Sequence, residues 1–270
     1  NRAYNMRGSV PVGRRVIVVG GGNSAVDAAR TALRLGAESV TIVYRRTRED
    51  MPAYDEEIEE AQNEGVELRM LTLPEEVVTR KGAVAGVRCR EMALAGFDRS
   101  GRRRPEAAGA SFVLEADQVI TAIGQTLDLD AITGGMDLRR RWKTFIDANN
   151  VTGQTSVDWL FAGGDAVAGP DSVVGAVAAG ERAAVGIDHY LTGANHAFWR
   201  RDHTLDTFFD PNADPLPLAR EKMPTIPVER RRNSFEEVEH CWETPVATRQ
   251  AKRCLRCEYG KRSQAGEAQQ

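Results

Sequence analysis

The sequence predicts an α/β fold built around a parallel sheet. Three observations carry that prediction. Arg15-Val16-Ile17-Val18-Val19-Gly20 holds four consecutive β-branched residues and closes on glycine, the pattern of a strand buried on both faces. Asn23 to Leu35 follows, with Ala25, Val26, Ala29 and Leu33 at helical spacing and Gly36 as the stop. Ser39 to Tyr44 is a second β-branched run. Together they make one β-α-β unit of about thirty residues.

The later elements follow from local chemistry. Pro52 is expected to open a helix running to about Glu64, with Gly65 as its stop. Val66 to Leu73 is expected as a third strand. Glu76 to Met92, broken at Lys81-Gly82, is an antiparallel hairpin. The polar stretch Asp98 to Gly109 is expected to be a long turn, with strands at Phe112–Leu114 and Asp117–Ala122. Trp159-Leu160-Phe161 is expected as a short apolar strand, and Ser172 to Leu191 as an amphipathic helix rich in alanine and glycine. From Gly193 the texture changes. Six of the eleven prolines fall there, and that density forbids long helices and central strands. The expected domains are 14–124, 125–192 and a proline-rich arm at 193–270.

Composition narrows the function classes. The 270 residues carry 36 Lys+Arg against 39 Asp+Glu, a net charge of -3, whereas a general nucleic-acid binder shows a basic surplus. No apolar run reaches the 18 or so residues of a membrane span. Four cysteines are too few for a disulfide scaffold and suit a reducing cytoplasm. The chain starts at Asn1 rather than Met, so it is expected to be a fragment. The four histidines form no metal or triad spacing, and no nucleophile elbow, P-loop or zinc-protease motif is present.

The strongest motif is Gly20-Gly21-Gly22-Asn23-Ser24-Ala25, which follows a strand and opens a helix, as a dinucleotide fingerprint requires. Gly20 permits the tight turn, Gly22 lets the backbone approach a pyrophosphate, and Ala25 lets the helix pack close to the strand. The free amides at the helix start face the phosphates. An NAD site usually ends the second strand on a carboxylate about twenty residues further on. This strand ends Tyr44-Arg45-Arg46. Guanidinium grips a 2′-phosphate where a carboxylate would repel it, so Arg45 and Arg46 favour NADP(H) over NAD(H).

A second cluster lies at Phe161-Ala162-Gly163-Gly164-Asp165. An aspartate closing a buried strand is costly without a partner, and a hydroxyl of a flavin's ribityl chain would be one. The segments Val16–Ala25, Tyr44-Arg45-Arg46, Met51-Pro52-Ala53, Ala122-Ile123-Gly124-Gln125 and Phe161–Asp165 occur in that order. In this the chain resembles the glutamate synthase small-subunit family of pyridine-nucleotide flavoproteins, over about residues 11 to 191. The resemblance implies an NAD(P)H domain inserted within an FAD domain, and hence the C-terminal part of an FAD-binding domain here. Asp165 would contact the flavin's ribityl chain. Gly163, Gly164 and the helix start at Ser172 and Val173 would line the flavin, and Ile123, Gly124 and Gln125 would mark the crossover beside both cofactors. The family's first FAD fingerprint is expected upstream of Asn1.

Cys254-Leu255-Arg256-Cys257 has the spacing of a thiolate ligand pair. Its surroundings resemble the segment that introduces the family's iron–sulfur domain, so Cys254 and Cys257 are candidate ligands of a cluster shared with a partner. Cys89 reads as a core residue. The expected activity is hydride transfer between NAD(P)H and FAD, with electrons passing to or from iron–sulfur partner subunits. A non-catalytic nucleotide-binding or scaffold subunit is the alternative. No acid–base residue is needed for hydride transfer, so none is named as catalytic.

Overall fold

The computed structural model describes residues 10–97, 101, 103–125, 127–129, 134–142, 144–196, 219–232 and 234–251. The chain divides into two compact units. One comprises residues 1–123 with 211–256, the other 124–210 with 257–270.

The first unit is built on β1 (Arg15–Val19), α1 (Asn23–Arg34), β2 (Ser39–Val43), α2 (Asp55–Asn63) and β3 (Glu67–Arg69). Then come β4 (Thr72–Arg80), β5 (Ala83–Phe97), β6 (Arg103–Glu115) and β7 (Gln118–Thr121). Strands β3, β2, β1 and β7 form a parallel sheet in that order. The β-branched run of β1 serves both faces of this sheet. Val16 and Val18 pack with α1 and α2 residues such as Ala29 and Ile58. Ile17 and Val19 pack with Val87 and Cys89 of β5. The antiparallel sheet β4-β5-β6 thus covers the face that the helices leave open.

Several expectations need correction. The helix after Pro52 starts at Asp55, with Tyr54 as its extended N-cap residue. Met51 to Ala53 is instead held against the glycine loop, as described below. The expected strand Val66–Leu73 is two strands, because Leu71 adopts φ 50° and turns the chain from the parallel sheet into the antiparallel one. Most of the expected turn Asp98–Gly109 is strand, since β6 begins at Arg103 and pairs with β5 back from Phe97↔Arg103. Its polar residues are tolerated because much of β6 faces solvent. The hairpin turn falls at Lys81-Gly82, both at positive φ.

The second unit contains β8 (Arg140–Arg141), β9 (Phe145–Ile146), α3 (Asp165–Ala168) and α4 (Val173–Thr192). Its buried apolar cluster is small: Leu129, Leu138 and Ile146. The expected strand Trp159–Phe161 is no strand; a single bridge joins Gln154 and Phe161. α4 is capped by Ser172, whose Oγ accepts the Gly175 amide at 3.1 Å. It ends at Gly193 in the left-handed region.

The arm's described residues from 219 to 251 belong to the first unit. It forms α5 (Val228–Arg231) and α6 (Thr244–Ala251). Arg231 is buried, donates to the Ile226 carbonyl at 2.6 Å and lies 3.9 Å from Glu60 of α2. The arm therefore folds back onto its own body here. Among the described residues no helix is long and apolar enough to cross a membrane.

Candidate functional site

The glycine loop is fixed from three sides. The strands β1, β2 and β7 run parallel, so their carboxyl ends share one edge, and the chain order reverses between β1 and β7. Ligands of open α/β sheets bind at such a switch point. Gly20 sits there at φ 147°. A Cβ on it would stand 2.3 Å from the Ala122 carbonyl oxygen, so only glycine lets β1 and β7 close up. Gly21 is stacked on Tyr44, whose ring would lie 2.6 Å from an added Cβ. Gly22 is different: a Cβ there would find only Pro52, at 3.9 Å. Its backbone is open to an approaching ligand.

The helix that follows is uncapped. Among the described residues no side chain caps the first amides of α1, and the first turn carries no acidic residue to oppose an anion. Ala25 is fully buried and its amide bonds the Gly22 carbonyl at 2.9 Å. Asn23 and Ser24 are exposed. The Asn23 side chain accepts the Tyr54 amide at 3.0 Å, and the Ala53 amide bonds the Gly21 carbonyl at 3.2 Å. Tyr44 completes the brace by donating its hydroxyl to the Asp50 carbonyl at 2.9 Å. Met51-Pro52-Ala53 is thus the wall of the glycine loop. Sequence reading picked out the segment but not this contact, because its partners lie about thirty residues apart.

The two arginines after β2 divide. Arg46 is buried and donates Nε to the Arg103 carbonyl at 3.1 Å. Arg45 is exposed and makes no hydrogen bond or ion pair with a described residue. Among the described residues Arg45 is thus an unneutralised cation, one residue beyond Tyr44 at the carboxyl edge of the sheet. Ile123 is 75% exposed, and Gly124 (φ 97°) and Gln125 are also exposed.

In the second unit, glycine and alanine set the geometry. The α4 helix lies on the 149–164 segment through close approaches. A Cβ on Gly186 would stand 2.1 Å from the Thr152 carbonyl oxygen, and one on Gly163 would stand 3.1 Å from Ala179. Gly164 (φ 62°) leads into the one-turn helix α3, whose first residue is Asp165. The buried aspartate expected from sequence is not found: Asp165 is exposed, on a turn rather than at the end of a strand. Gly163, Gly164, Asp165, Ser172 and Val173 come together along one open depression. Beside it lies a cavity of about 250 Å³ lined by Arg141, Gly163, Gly164, Val167 and Arg182. A depression lined by glycine backbone, an exposed carboxylate and a helix N-terminus can hold a polyhydroxylated cofactor.

Cys254 and Cys257 lie outside the described residues. Among the described residues no three metal-ligating side chains converge. Burial pushes the Cys89 thiol up to about 11, as expected for a core thiol.

Residues 3–180 match the family described as pyridine nucleotide-disulphide oxidoreductase. The chain is 41% identical over 257 residues to the NADP(+)-dependent formate dehydrogenase subunit beta of Moorella thermoacetica, covering 91% of this chain and 36% of that protein. It is 36% identical over 282 residues to the NADPH-Fe(3+) oxidoreductase subunit beta of Geobacter sulfurreducens, covering 91% and 41%. The glutamate synthase [NADPH] small chain of Azospirillum brasilense is 39% identical over 191 residues, 70% of this chain and 39% of that one. The chain thus spans well under half the length of these relatives. Among solved structures, Mycobacterium tuberculosis FprA in complex with NADPH superposes with a TM-score of 0.53 at 19% identity, covering 67% of this chain and 53% of that one. T. acidophilum thioredoxin reductase gives 0.52 at 21%, covering 66% and 52%. At those identities the likeness is one of fold, and it is the α/β fold expected from the β-α-β unit. With the family match covering well over half of its length, the chain belongs to the pyridine nucleotide-disulphide oxidoreductases.

Proposed function

We propose that this chain is the hydride-transfer segment of an NADPH-dependent flavoprotein oxidoreductase that exchanges electrons with iron–sulfur partner subunits. The first unit binds NADPH. The uncapped start of α1 and the open backbone at Gly22 receive the pyrophosphate, and Arg45 grips the 2′-phosphate. Asn23 and the Met51–Ala53 wall keep the loop rigid, which favours one orientation of the dinucleotide. The second unit holds part of FAD: Asp165 accepts hydrogen bonds from the ribityl hydroxyls, and the α4 N-terminus with Ser172 and Val173 faces the flavin. A bound flavin supplies two-electron acceptance and one-electron release. The chain's own residues bind and orient, and no side-chain acid or base is required. Ile123, Gly124 and Gln125 are assigned to the crossover beside the cofactors.

Partner subunits are supported by the names of two relatives, each called a subunit beta, one of an NADP(+)-dependent formate dehydrogenase and one of an NADPH-Fe(3+) oxidoreductase. Cys254 and Cys257 are assigned to a cluster at such a junction. The reading puts the protein in the cytoplasm, where the unpaired, exposed Cys241 suits a reducing environment.

The observation that carries the reading is the unneutralised Arg45 at the carboxyl edge beside an open glycine loop. Hydrogen bonds to charged groups are worth roughly 1.5–3 kcal/mol, so Arg45→Glu should lower the ratio of NADPH to NADH kcat/KM at least tenfold. An unchanged ratio would remove the 2′-phosphate assignment. Arg46→Gln should change that ratio little and lower stability instead. Asp165→Ala should reduce the flavin-to-protein ratio; equal flavin content in both proteins would withdraw the ribityl role.

A further inference from the structure

We propose that Arg141 is a positioning residue for the Gly163-Gly164-Asp165 turn, acting from the β8–β9 hairpin through the backbone of α3. The consequence for flavin rests on the role assigned to Asp165 above.

α3 cannot hold itself. It is one turn long, and a single turn carries the full nucleation cost of a helix for few hydrogen bonds. Its amides make three: Val167 and Ala168 to the Gly164 carbonyl at 3.0 Å each, and Gly169 to the Asp165 carbonyl at 3.1 Å. Its N-cap residue offers no side-chain bond, and both flanking residues are glycines at positive φ, Gly164 at 62° and Gly169 at 85°. Glycine loses more conformational freedom on ordering than any other residue. None of the four helical residues is fully buried; Ala166 and Val167 are half-buried against Leu129, Leu138 and Ile146. Restraint must therefore come from outside the turn.

The hairpin supplies it twice. Arg141 Nη2 donates to the Val167 carbonyl at 3.1 Å, a charge-assisted bond onto an acceptor two residues from Asp165. The Phe145 ring closes on Gly169, where a Cβ would stand 3.2 Å from Cζ. Arg141 is itself held. Its guanidinium carbon lies 4.7 Å from the centre of the Trp142 ring, and Trp142 in turn meets Phe145 edge to face at 6.4 Å. Among the described residues the buried Nε of Arg141 has no hydrogen-bond partner, and the guanidinium's hydrogen bond is the one onto the turn. Arg141 also lines the cavity that Gly163 and Gly164 bound. A shift of its side chain thus moves the backbone on which Asp165 is carried.

The test uses the full chain with two readouts. The first is amide hydrogen exchange of residues 165–169, which needs no cofactor. Arg141→Ala should raise exchange there at least tenfold, while α4 beyond Ala179 stays within twofold of the parent. Arg141→Lys, which keeps a donor and a charge, should restore most of the protection. The second is the FAD dissociation constant, measured by fluorescence quenching in a double-mutant cycle with Asp165→Ala. Arg141→Ala should weaken FAD about tenfold in the parent background and less than twofold once Asp165 is already alanine. Unchanged exchange at 165–169, or equal weakening in both backgrounds, would overturn the proposal. If Asp165→Ala alone leaves FAD affinity unchanged, the flavin reading fails, and the exchange data still decide whether Arg141 holds the turn. If Arg141→Ala does not fold, Arg141→Gln against Arg141→Lys makes the same comparison, with loss of protection expected only in the first.

Discussion

The two units order their candidate sites by different physics. In the first, the glycine loop grows from a strand buried on both faces, and fifteen buried residues form one apolar cluster beneath it. In the second, three buried residues form the apolar cluster, and only Gly186 of the twenty residues of α4 is buried. There the backbone is placed by close approach of glycine and alanine and by individual hydrogen bonds such as that of Arg141. A loop on a large core inherits its rigidity from many weak contacts. A turn on a small core depends on a few, so single substitutions should act more selectively there.

The largest effect should come from breaking the ion-pair cluster that ties α1 to α2 in the first unit. Arg30 donates to Glu64 at 2.7 and 3.1 Å, to Glu57 at 2.6 Å and to Glu60 at 2.7 Å. The Glu64 side chain is wholly buried. Arg30→Ala would leave that carboxylate with Arg34 alone, at 3.4 Å, at a cost of up to about 3–5 kcal/mol. Urea unfolding reads this directly, and a loss below about 1 kcal/mol would mean the cluster is not what joins the two helices.

Two glycines of one helix sharpen the comparison in the second unit. Gly186→Ala drives a Cβ into the Thr152 carbonyl and should destabilise by about 1–3 kcal/mol. Gly180 has nothing within 4 Å of an added Cβ, so Gly180→Ala should stabilise by about 0.5–1 kcal/mol through helix propensity. Thermal unfolding of the pair should move in opposite directions. Shifts of the same sign would show that close approach does not set this helix.

A separate effect concerns alkaline pH in the first unit. Burial raises the folded-state pKa of Cys89 to about 11 from an ordinary value of 9.0. A raised folded pKa contributes stability that is full below the ordinary value and is lost as pH rises through about 11. Stability measured between pH 9 and 11 should fall more steeply for the parent than for Cys89→Ala. Parallel slopes would remove Cys89 from the cause. Acid should act in the opposite sense at the edge of the parallel sheet. Hydrogen bonds from Arg15 hold Asp117 below the usual carboxylate range, so its contribution is present above that range and is lost as pH falls through the lowered value. Because Asp117 is exposed, the loss should be slight and reduced by salt.

Much of the first unit was legible because its signals are local. Consecutive β-branched residues, helical spacing and a glycine loop between them are read within about thirty residues, and β1, α1 and β2 lie where that pattern puts them. The polar residues of β6 misled for an equally local reason. Arg103 and Arg104 look like a solvated turn, and only pairing with β5 makes them strand. Asp165 was singled out by its Gly-Gly neighbours, but its exposure was not foreseen, since burial of the preceding segment depends on what packs over it. Neither the Asn23–Tyr54 bond nor the Arg141–Val167 bond has a signature in spacing.

By itself the sequence determined the parallel β-α-β unit, the glycine loop and the cationic end of β2, because each follows from side-chain periodicity and the steric needs of a few neighbouring residues. The tertiary structure decided which arginine is free to meet a ligand, that residues 219–251 of the arm fold onto the first unit, and how the Gly-Gly-Asp turn is held. Those outcomes depend on residues distant in the chain competing for the same hydrogen bonds and the same buried space, and no local pattern records who wins.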